Sequence, residues 1–191
     1  MATKKKTDTK SAAAPTKPRR AQTDMEENPI GLPQDYCEDM VPELDKLLST
    51  EYTLLHQYHK HHWLVNGPQF RDLHLFYQEA YEALFAKVDD IAERVTHLGG
   101  FPTCEPANMQ KKSIIDHEPE GLFSVRDMLA RDKAAEITVA QNLRKMIAFA
   151  RDHQDFGTVR LLEKVLLGGE DRAHHIDHFL EEDSLEEGRE D

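Results

Sequence analysis

The feature that most constrains the fold is a helical repeat of apolar residues over four long stretches of the chain. In the second stretch, apolar residues recur at steps of three or four from Leu73 to Leu98, as one buried face of an α-helix requires. No segment alternates apolar and polar residues with the period of a strand. The pattern predicts an all-α chain with helices over about residues 36–65, 70–98, 122–152 and 156–182.

The links between these helices predict their arrangement. Asn66-Gly67-Pro68 ends the first helix and leaves a tight turn, because Gly and Pro both depart from helical geometry. The connection over residues 99–121 is long and could hold one short helix, whereas the last two helices are joined by a short link. Short, long and short links are typical of a four-helix bundle with one long crossover connection, as in ferritin-like folds.

Charge divides the chain into a basic tail and an acidic body. The chain has 24 basic and 36 acidic residues. Residues 1–20 hold seven of the basic residues and one acid, so the rest of the chain holds 17 basic and 35 acidic residues. We predict a disordered tail over residues 1–33, a bundle over 34–183 and an acidic tail over 184–191. The tail could bind DNA phosphates without reading sequence, aid solubility or direct targeting. Its basic residues are Lys4, Lys5, Lys6, Lys10, Lys17, Arg19 and Arg20.

Other features narrow the class of protein. Two cysteines, Cys37 and Cys104, are too few for a disulfide scaffold and fit a reducing compartment. No apolar run approaches the ~20 residues of a membrane span, and the start lacks the apolar core of a secretory signal. Neither a Gly-rich phosphate loop nor a G-x-S-x-G motif occurs. We expect a cytoplasmic protein without membrane contact, nucleoid-associated if the tail binds DNA.

Histidines crowd the two helices that flank the tight turn. Five of the eleven histidines lie between His56 and His74. Because a tight turn makes the helices antiparallel neighbours, and a helix rises ~1.5 Å per residue, His62 and His74 should lie level, with His59 and Gln78 one turn deeper. A histidine on a mostly apolar face is more often a hydrogen-bonded core residue than a metal ligand, so both interpretations stay open.

The second helix places carboxylates symmetrically with respect to these histidines. At about 100° per residue, His74, Gln78, Asp89 and Glu93 share one face, but His74 and Glu93 lie roughly 28 Å apart along the axis. The midpoint of positions 74 and 93 is also the midpoint of 78 and 89. A second copy across a two-fold axis would bring His74 to the partner's Glu93 and Gln78 to the partner's Asp89. Such a cluster suits Fe(II), Zn(II) or Mn(II). Alternatively, the shared midpoint is a coincidence and the acids only form a solvated face of the helix.

Two stretches carry a resemblance to a known family. HWLVNGPQFRDLH at residues 62–74 and VDDIAERVTHLGG at residues 88–100 resemble Dps, the DNA-binding protein from starved cells, a miniferritin. The resemblance implies a hollow dodecameric shell that oxidises Fe(II) at intersubunit sites, often with peroxide, and collects ferric mineral inside. It implies that one subunit supplies His62 and His74 and its two-fold mate supplies Asp89 and Glu93. Trp63 beside the site could intercept radicals or only pack.

One position departs from the family pattern. The family usually has a carboxylate four residues after the second histidine, and this chain has Gln78 there. A neutral amide is a poor iron ligand, so His59 could supply the missing ligand. That would make the protein a histidine-rich variant like some from photosynthetic bacteria, with another oxidant preference or Zn(II) in the site. Alternatively, Gln78 only forms hydrogen bonds and the site works with fewer ligands.

Two further pairs of residues are candidates for metal chemistry. His174 and His178 are four residues apart on the last helix and could hold a second metal ion, although surface or interface histidines are commoner. Asp152 and Asp155 could line a three-fold pore that draws Fe(II) inward, or form an ordinary acidic turn. No Glu-x-x-His pair occurs, which argues against the intrachain di-iron centre of larger ferritins.

These features predict an enzyme with a storage role. It would bind Fe(II) at intersubunit ferroxidase sites, oxidise it with peroxide or oxygen, and store ferric mineral in its shell, which protects against oxidative damage. The alternative is a nucleoid protein that binds DNA without reading its sequence and whose metal sites are structural or filled by Zn(II).

Overall fold

Five helices form the part of the chain that the computed structural model describes, residues 17–181. They are α1 (Gln34–Leu64), α2 (Phe70–His97), α3 (Pro106–Lys112), α4 (Val125–Asp152) and α5 (Phe156–Leu180). Helices α1 and α2 pack as one hairpin and α4 and α5 as another, while α3 lies in the crossover and packs on α1. No strand occurs between residues 17 and 181. The predicted all-α bundle with one long crossover is confirmed.

The apolar repeat of α2 forms its buried face. Each side chain of the repeat meets the core because successive members advance by about one helical turn. Burying one large aliphatic side chain contributes roughly 1.5–3 kcal/mol, so this face holds α2 firmly against the bundle. Its buried residues are Leu73, Tyr77, Ala80, Leu84, Val88, Ile91 and Val95.

The turn between α1 and α2 positions the histidine-rich segment. Gly67 has a φ of 93°, a conformation that L side chains rarely adopt. Its carbonyl accepts the first backbone hydrogen bond of the next helix, from Phe70 N–H at 3.1 Å, and Val65 N–H closes α1 on His61 O at 2.8 Å. The tight connection therefore brings the last turn of α1 beside the first turns of α2.

Part of the expected disordered tail is packed on the bundle. Among residues 21–33, Met25 and Leu32 lie against the buried core, and Glu26 N–H donates to Gly99 O at 2.8 Å. A Cβ on Gly99 would lie 2.1 Å from Glu26 O, so only glycine permits this approach. This segment corrects the expectation of a loose tail up to residue 33, because two apolar side chains without helical periodicity still find the core.

The remaining tail predictions fall partly beyond the described residues. Lys4, Lys5, Lys6 and Lys10 lie outside them, as does the acidic stretch over residues 184–191. Lys17, Arg19 and Arg20 are exposed. Within the described range, none of the helices combines the length and the apolar character that crossing a membrane demands.

Candidate metal centre

His62 and His74 form a locked pair between α1 and α2. Their rings stack with centroids 3.7 Å apart and planes inclined by 21°. The Nδ1–H of His62 donates to the carbonyl of His74 at 2.9 Å, and the Nδ1–H of His74 donates to the carbonyl of His62 at 2.9 Å. A carbonyl can only accept, so Nδ1 carries the proton on each neutral ring and each Nε2 keeps a free lone pair.

The reciprocal hydrogen bonds follow from where the two residues sit. The carbonyl of His62 belongs to the last turn of α1, where carbonyls lack helical partners, so the His74 ring satisfies it. Metal-binding histidines are held in the same way, by donating the other ring N–H to a carbonyl or carboxylate. The pair is therefore prepared for ligation, and its role as a ligand pair stays a prediction.

His59 lies beside the pair but not against Gln78. Its ring stacks on Trp63 with centroids 5.3 Å apart and lies 3.9 Å from the ring of Tyr81. The pKa of His59 is lowered by burial and by the neighbouring His62, which favours the neutral form that can bind a metal. Gln78 turns to the next turn of α2 instead, where its Nε2 donates to Glu82 Oε1 at 3.0 Å.

Glu82 is a carboxylate near the site that the sequence analysis missed. It lines a shallow cavity of about 280 Å³ together with His59, Tyr81 and Phe85. The carboxylate absent at position 78 is thus present one helical turn further along α2. A continued search at steps of four from His74, through Gln78, would have found it.

Large apolar side chains stand exposed around the histidines. Trp63 is 69% exposed, Phe85 67% and Phe70 45%, and the ring of Phe70 stacks on His74 with centroids 4.9 Å apart. Large exposed apolar side chains that surround polar groups are typical of a protein–protein contact rather than of free surface. The histidine pair therefore lies within a face suited to cover by another chain.

Asp89 and Glu93 lie on the far half of α2 and are exposed. Since α2 is unbroken from Phe70 to His97, the register that relates them to His74 is kept on one continuous helix. Within residues 17–181, no group of three or more histidines, cysteines and acids is close enough to hold one metal ion. One subunit offers only part of the predicted ligand set, and the partner's half stays a prediction.

His61 points into the bundle although it adjoins His62. Its Nδ1 lies 2.7 Å from Asp132 Oδ2 and its Nε2 lies 3.1 Å from Glu118 Oε2. Both ring nitrogens thus face carboxylates, so neither is free for a metal ion. Lys60 and Arg131 also pair with Glu118, which gives the two buried acids three basic partners.

A second buried network occupies the middle of the bundle. The guanidinium of Arg172 pairs with Glu136, and Tyr58 donates to Glu136 Oε1 at 2.7 Å. Gly169 makes room, because a Cβ there would lie 3.0 Å from Glu136 Oε2. Arg172 falls on the apolar repeat of α5, and a charge in such a position is the signal that could have revealed the network.

Asp155, predicted to line a pore or to belong to an ordinary acidic turn, is buried and bonded within its own subunit. Asp155 is 2% exposed and caps α5, accepting from Thr158 N–H at 2.9 Å, from Tyr36 OH at 2.8 Å and from Arg94 Nη2 at 2.6 Å. Burial raises its pKa, but hydrogen bonds from Thr158 and Tyr36 and the charge of Arg94 lower the pKa overall. Asp152 is exposed, so only this acid is available for the predicted pore.

The remaining candidates, His174 and His178, face each other on the exposed side of α5. Their Nε2 atoms are 3.2 Å apart and their ring centroids 4.4 Å apart. They are remote in sequence from the locked pair and do not share its contacts.

Comparisons with known proteins agree with the fold and the motifs. The ferritin-like domain family matches residues 42–185. The DNA protection during starvation protein of Halobacterium salinarum is 40% identical over 151 residues, which is 79% of this chain and 83% of that protein. A nutrient stress-induced DNA-binding protein of Synechococcus is 37% identical over 161 residues, 84% of this chain and 92% of that protein.

A solved structure supports the same assignment. The crystal structure of an archaeal Dps homologue from Halobacterium salinarum matches with a TM-score of 0.85 and 37% identity, over 89% of this chain and 95% of that chain. The predicted resemblance is therefore confirmed, and the chain belongs to the Dps family of ferritin-like proteins.

Proposed function

We propose that this protein binds Fe(II) at sites shared between two copies of the chain, oxidises it with peroxide or oxygen, and keeps the ferric product inside a closed dodecameric shell. The observation that carries the proposal is the reciprocal bonding of His62 and His74, each Nδ1 donating to the other residue's carbonyl at 2.9 Å. This arrangement leaves two oriented Nε2 lone pairs on one face of the subunit. The exposed apolar side chains on that face suit it to contact with another subunit.

The chemistry of the donor set fits Fe(II) as substrate. Imidazole and carboxylate together bind Fe(II), and carboxylates also stabilise Fe(III). The partner's Asp89 and Glu93 would complete the site, since both acids are exposed on the same helix. Two Fe(II) ions supply the two electrons that reduce one peroxide to water, so each turnover removes both reagents of hydroxyl-radical chemistry.

The sharing of the site between subunits supplies a sharp test. One variant carries His62→Ala and His74→Ala, and a second carries Asp89→Asn and Glu93→Gln. We expect each homogeneous shell to oxidise Fe(II) at least roughly tenfold more slowly than wild type, as followed by ferric absorbance after Fe(II) and peroxide are added to metal-free protein. Shells reassembled from equal amounts of both variants should regain about one quarter of the wild-type rate, because one quarter of the sites then hold both intact halves.

The mixed shells also give the result that would reject the shared site. If they stay as slow as either variant, the histidines and the acids do not meet across the two-fold axis, and the shared site is rejected. A His56→Ala variant is the matched control, because His56 is exposed on the same helix and outside the proposed ligand set. Its rate should equal that of wild type.

A DNA-binding role is the second candidate function. The relatives that are 40% and 37% identical are named for DNA protection and DNA binding, and this chain carries its basic residues in the amino-terminal tail. We propose that the tail contacts phosphates, which places the protein in the cytoplasm at the nucleoid.

Deleting residues 1–20 leaves the packed residues 21–33 in place. The deletion should abolish DNA retardation at low salt, and wild-type retardation should fall steeply as salt rises. Unchanged retardation would exclude the tail as the DNA anchor.

A further inference from the structure

We propose that His174 and His178 form a separate chelate for a divalent transition-metal ion near the carboxyl end of α5. The two residues are one helical turn apart, both side chains are exposed, and their Nε2 atoms face each other at 3.2 Å. Among the described residues, neither ring takes part in the contacts of the candidate ferroxidase site. The proposal therefore does not depend on the proposed function.

The separation of the two nitrogens fits a shared metal ion. Zn–N bonds of about 2.0–2.1 Å at a tetrahedral angle place two nitrogen ligands roughly 3.3 Å apart, close to the observed 3.2 Å. The ring planes are inclined by 72°, which lets both Nε2 lone pairs point toward one position. An N–H···N hydrogen bond between the rings is the competing explanation of the distance, and the two explanations predict different metal affinities.

A neighbouring carboxylate favours the tautomer that binding needs. Glu181 Oε1 lies 3.5 Å from Nδ1 of His178, on the side of the ring away from His174. A carboxylate at Nδ1 draws the ring proton there and leaves the Nε2 lone pair free, as around many metal-bound histidines. Asp177 does not compete, because Lys133 pairs with it.

The donor set defines the class of ion. Two imidazoles with water in the remaining positions suit Zn(II), Ni(II) and Cu(II) better than Fe(II), which is weaker in the order of affinities. Among the described residues, no third histidine, cysteine or acid joins the pair in a cluster able to hold an ion, so the chelate stays open to solvent. The protein would thus bind a second kind of metal outside the route taken by iron.

Zinc titration of the assembled protein tests the chelate. The background variant, His59→Ala with His62→Ala and His74→Ala, removes the other candidate histidine ligands, and Zn(II) is titrated into the metal-free shell by calorimetry. We expect one ion per chain in this background. His174→Ala and His178→Ala should each weaken binding about tenfold or more, and the double variant should lose little beyond either single one, because a chelate needs both rings.

Two matched variants separate the chelate from a general effect of surface histidines. His175→Ala should leave Zn(II) binding unchanged, because His175 is equally exposed but its ring lies near Phe76, at 6.4 Å between centroids. Glu181→Gln should weaken binding less than loss of either histidine. Equal Zn(II) affinity of the background protein and the His174→Ala/His178→Ala form, with helicity and shell size unchanged, would overturn the proposal.

Discussion

His61 and His62 are neighbours on α1, yet they belong to two different regions of the molecule. His61 is fully buried, and carboxylates of Asp132 and Glu118 face both of its ring nitrogens. His62 lies at the outer face of the α1–α2 hairpin, where a carbonyl holds its Nδ1 and Nε2 stays free. The partner atoms of a histidine, rather than its place in a histidine-rich segment, therefore decide between a structural role and a ligand role.

The two regions also differ in how they handle charge. The interior pairs most of its acids with bases in buried networks, such as Glu136 with Arg172, whereas neither carboxyl oxygen of the buried Glu51 has a hydrogen-bond partner among the described residues. The outer face leaves Asp89 and Glu93 exposed. A buried charge without its partner is costly, whereas an exposed acid remains free to meet a cation or another subunit. Substitutions in the interior should therefore change stability, and those on the face should change activity.

Removing the carboxylate of Asp132 should have the largest effect on stability. His61, Gln57 and Tyr77 all use this carboxylate, so Asp132→Ala should lower the free energy of unfolding by ~3–5 kcal/mol. Thermal unfolding followed by circular dichroism measures the loss. Asp152→Ala, at an exposed position on the same helix, should change stability by less than about 0.5 kcal/mol. Equal effects of the two substitutions would contradict the division into regions.

Glu51 should make the interior sensitive to pH. Burial and the nearby charge of Glu136 raise its pKa and the charge of Arg172 lowers it, so that the pKa moves from 4.5 to about 7 overall. Because folding then takes up a proton between these values, this group's contribution to stability is present below pH 4.5 and is lost as pH rises toward 7. The loss approaches ~3 kcal/mol above pH 7.

A single substitution isolates that pH dependence. Glu51→Gln should unfold at a higher temperature than wild type at pH 8 and at nearly the same temperature at pH 5. The difference between the two proteins cancels the titration of all other groups. If Glu51→Gln were equally or less stable than wild type at pH 8, the buried carboxyl would have a stabilising partner at that pH.

Loss of His62 should separate activity from stability. His62→Ala removes one hydrogen bond and a ring stack at a half-buried position, so it should cost only about 1 kcal/mol of stability. The rate of Fe(II) oxidation should fall roughly tenfold or more. Unfolding and oxidation assays on one preparation compare the two losses. A stability loss as large as that of Asp132→Ala would place His62 with the interior.

The smallest effect is expected at the position that departs from the family pattern. Gln78→Glu puts a second acid four residues before Glu82, its present hydrogen-bond partner. Like charges at this spacing should cost about 0.2–0.5 kcal/mol. The added carboxylate should tighten Fe(II) binding in anaerobic titration if position 78 faces the metal ion. Unchanged affinity for Fe(II) would show that position 78 does not face the metal ion. Glu82 would then be the next residue to test as the missing carboxylate ligand.

Much of the fold could be predicted because its signals are local. The apolar repeat from Leu73 to Leu98 defined α2 to within one residue of its observed end at His97. The turn residues placed His62 beside His74 without knowledge of any other contact, since a short link leaves two helices few arrangements. The spacing of Asp89 and Glu93 from His74 is likewise a property of one continuous helix.

The errors share a cause, since they involve partners distant in the sequence. Asp155 reads as a free acid in an acidic turn, but Tyr36 and Arg94 reach it from 119 and 61 residues away. Met25 and Leu32 pack against core residues from several helices, and no local pattern reveals such contacts.

Local sequence patterns were enough to define the helices, their order and the side chains that share a face, because backbone hydrogen bonds and helical periodicity act between near neighbours. The packing of the bundle set which histidines are held by carboxylates inside and which keep a free ring nitrogen outside. The outcome depends on the distances between ring nitrogens and carbonyl or carboxylate oxygens from other segments of the chain, and packing sets those distances.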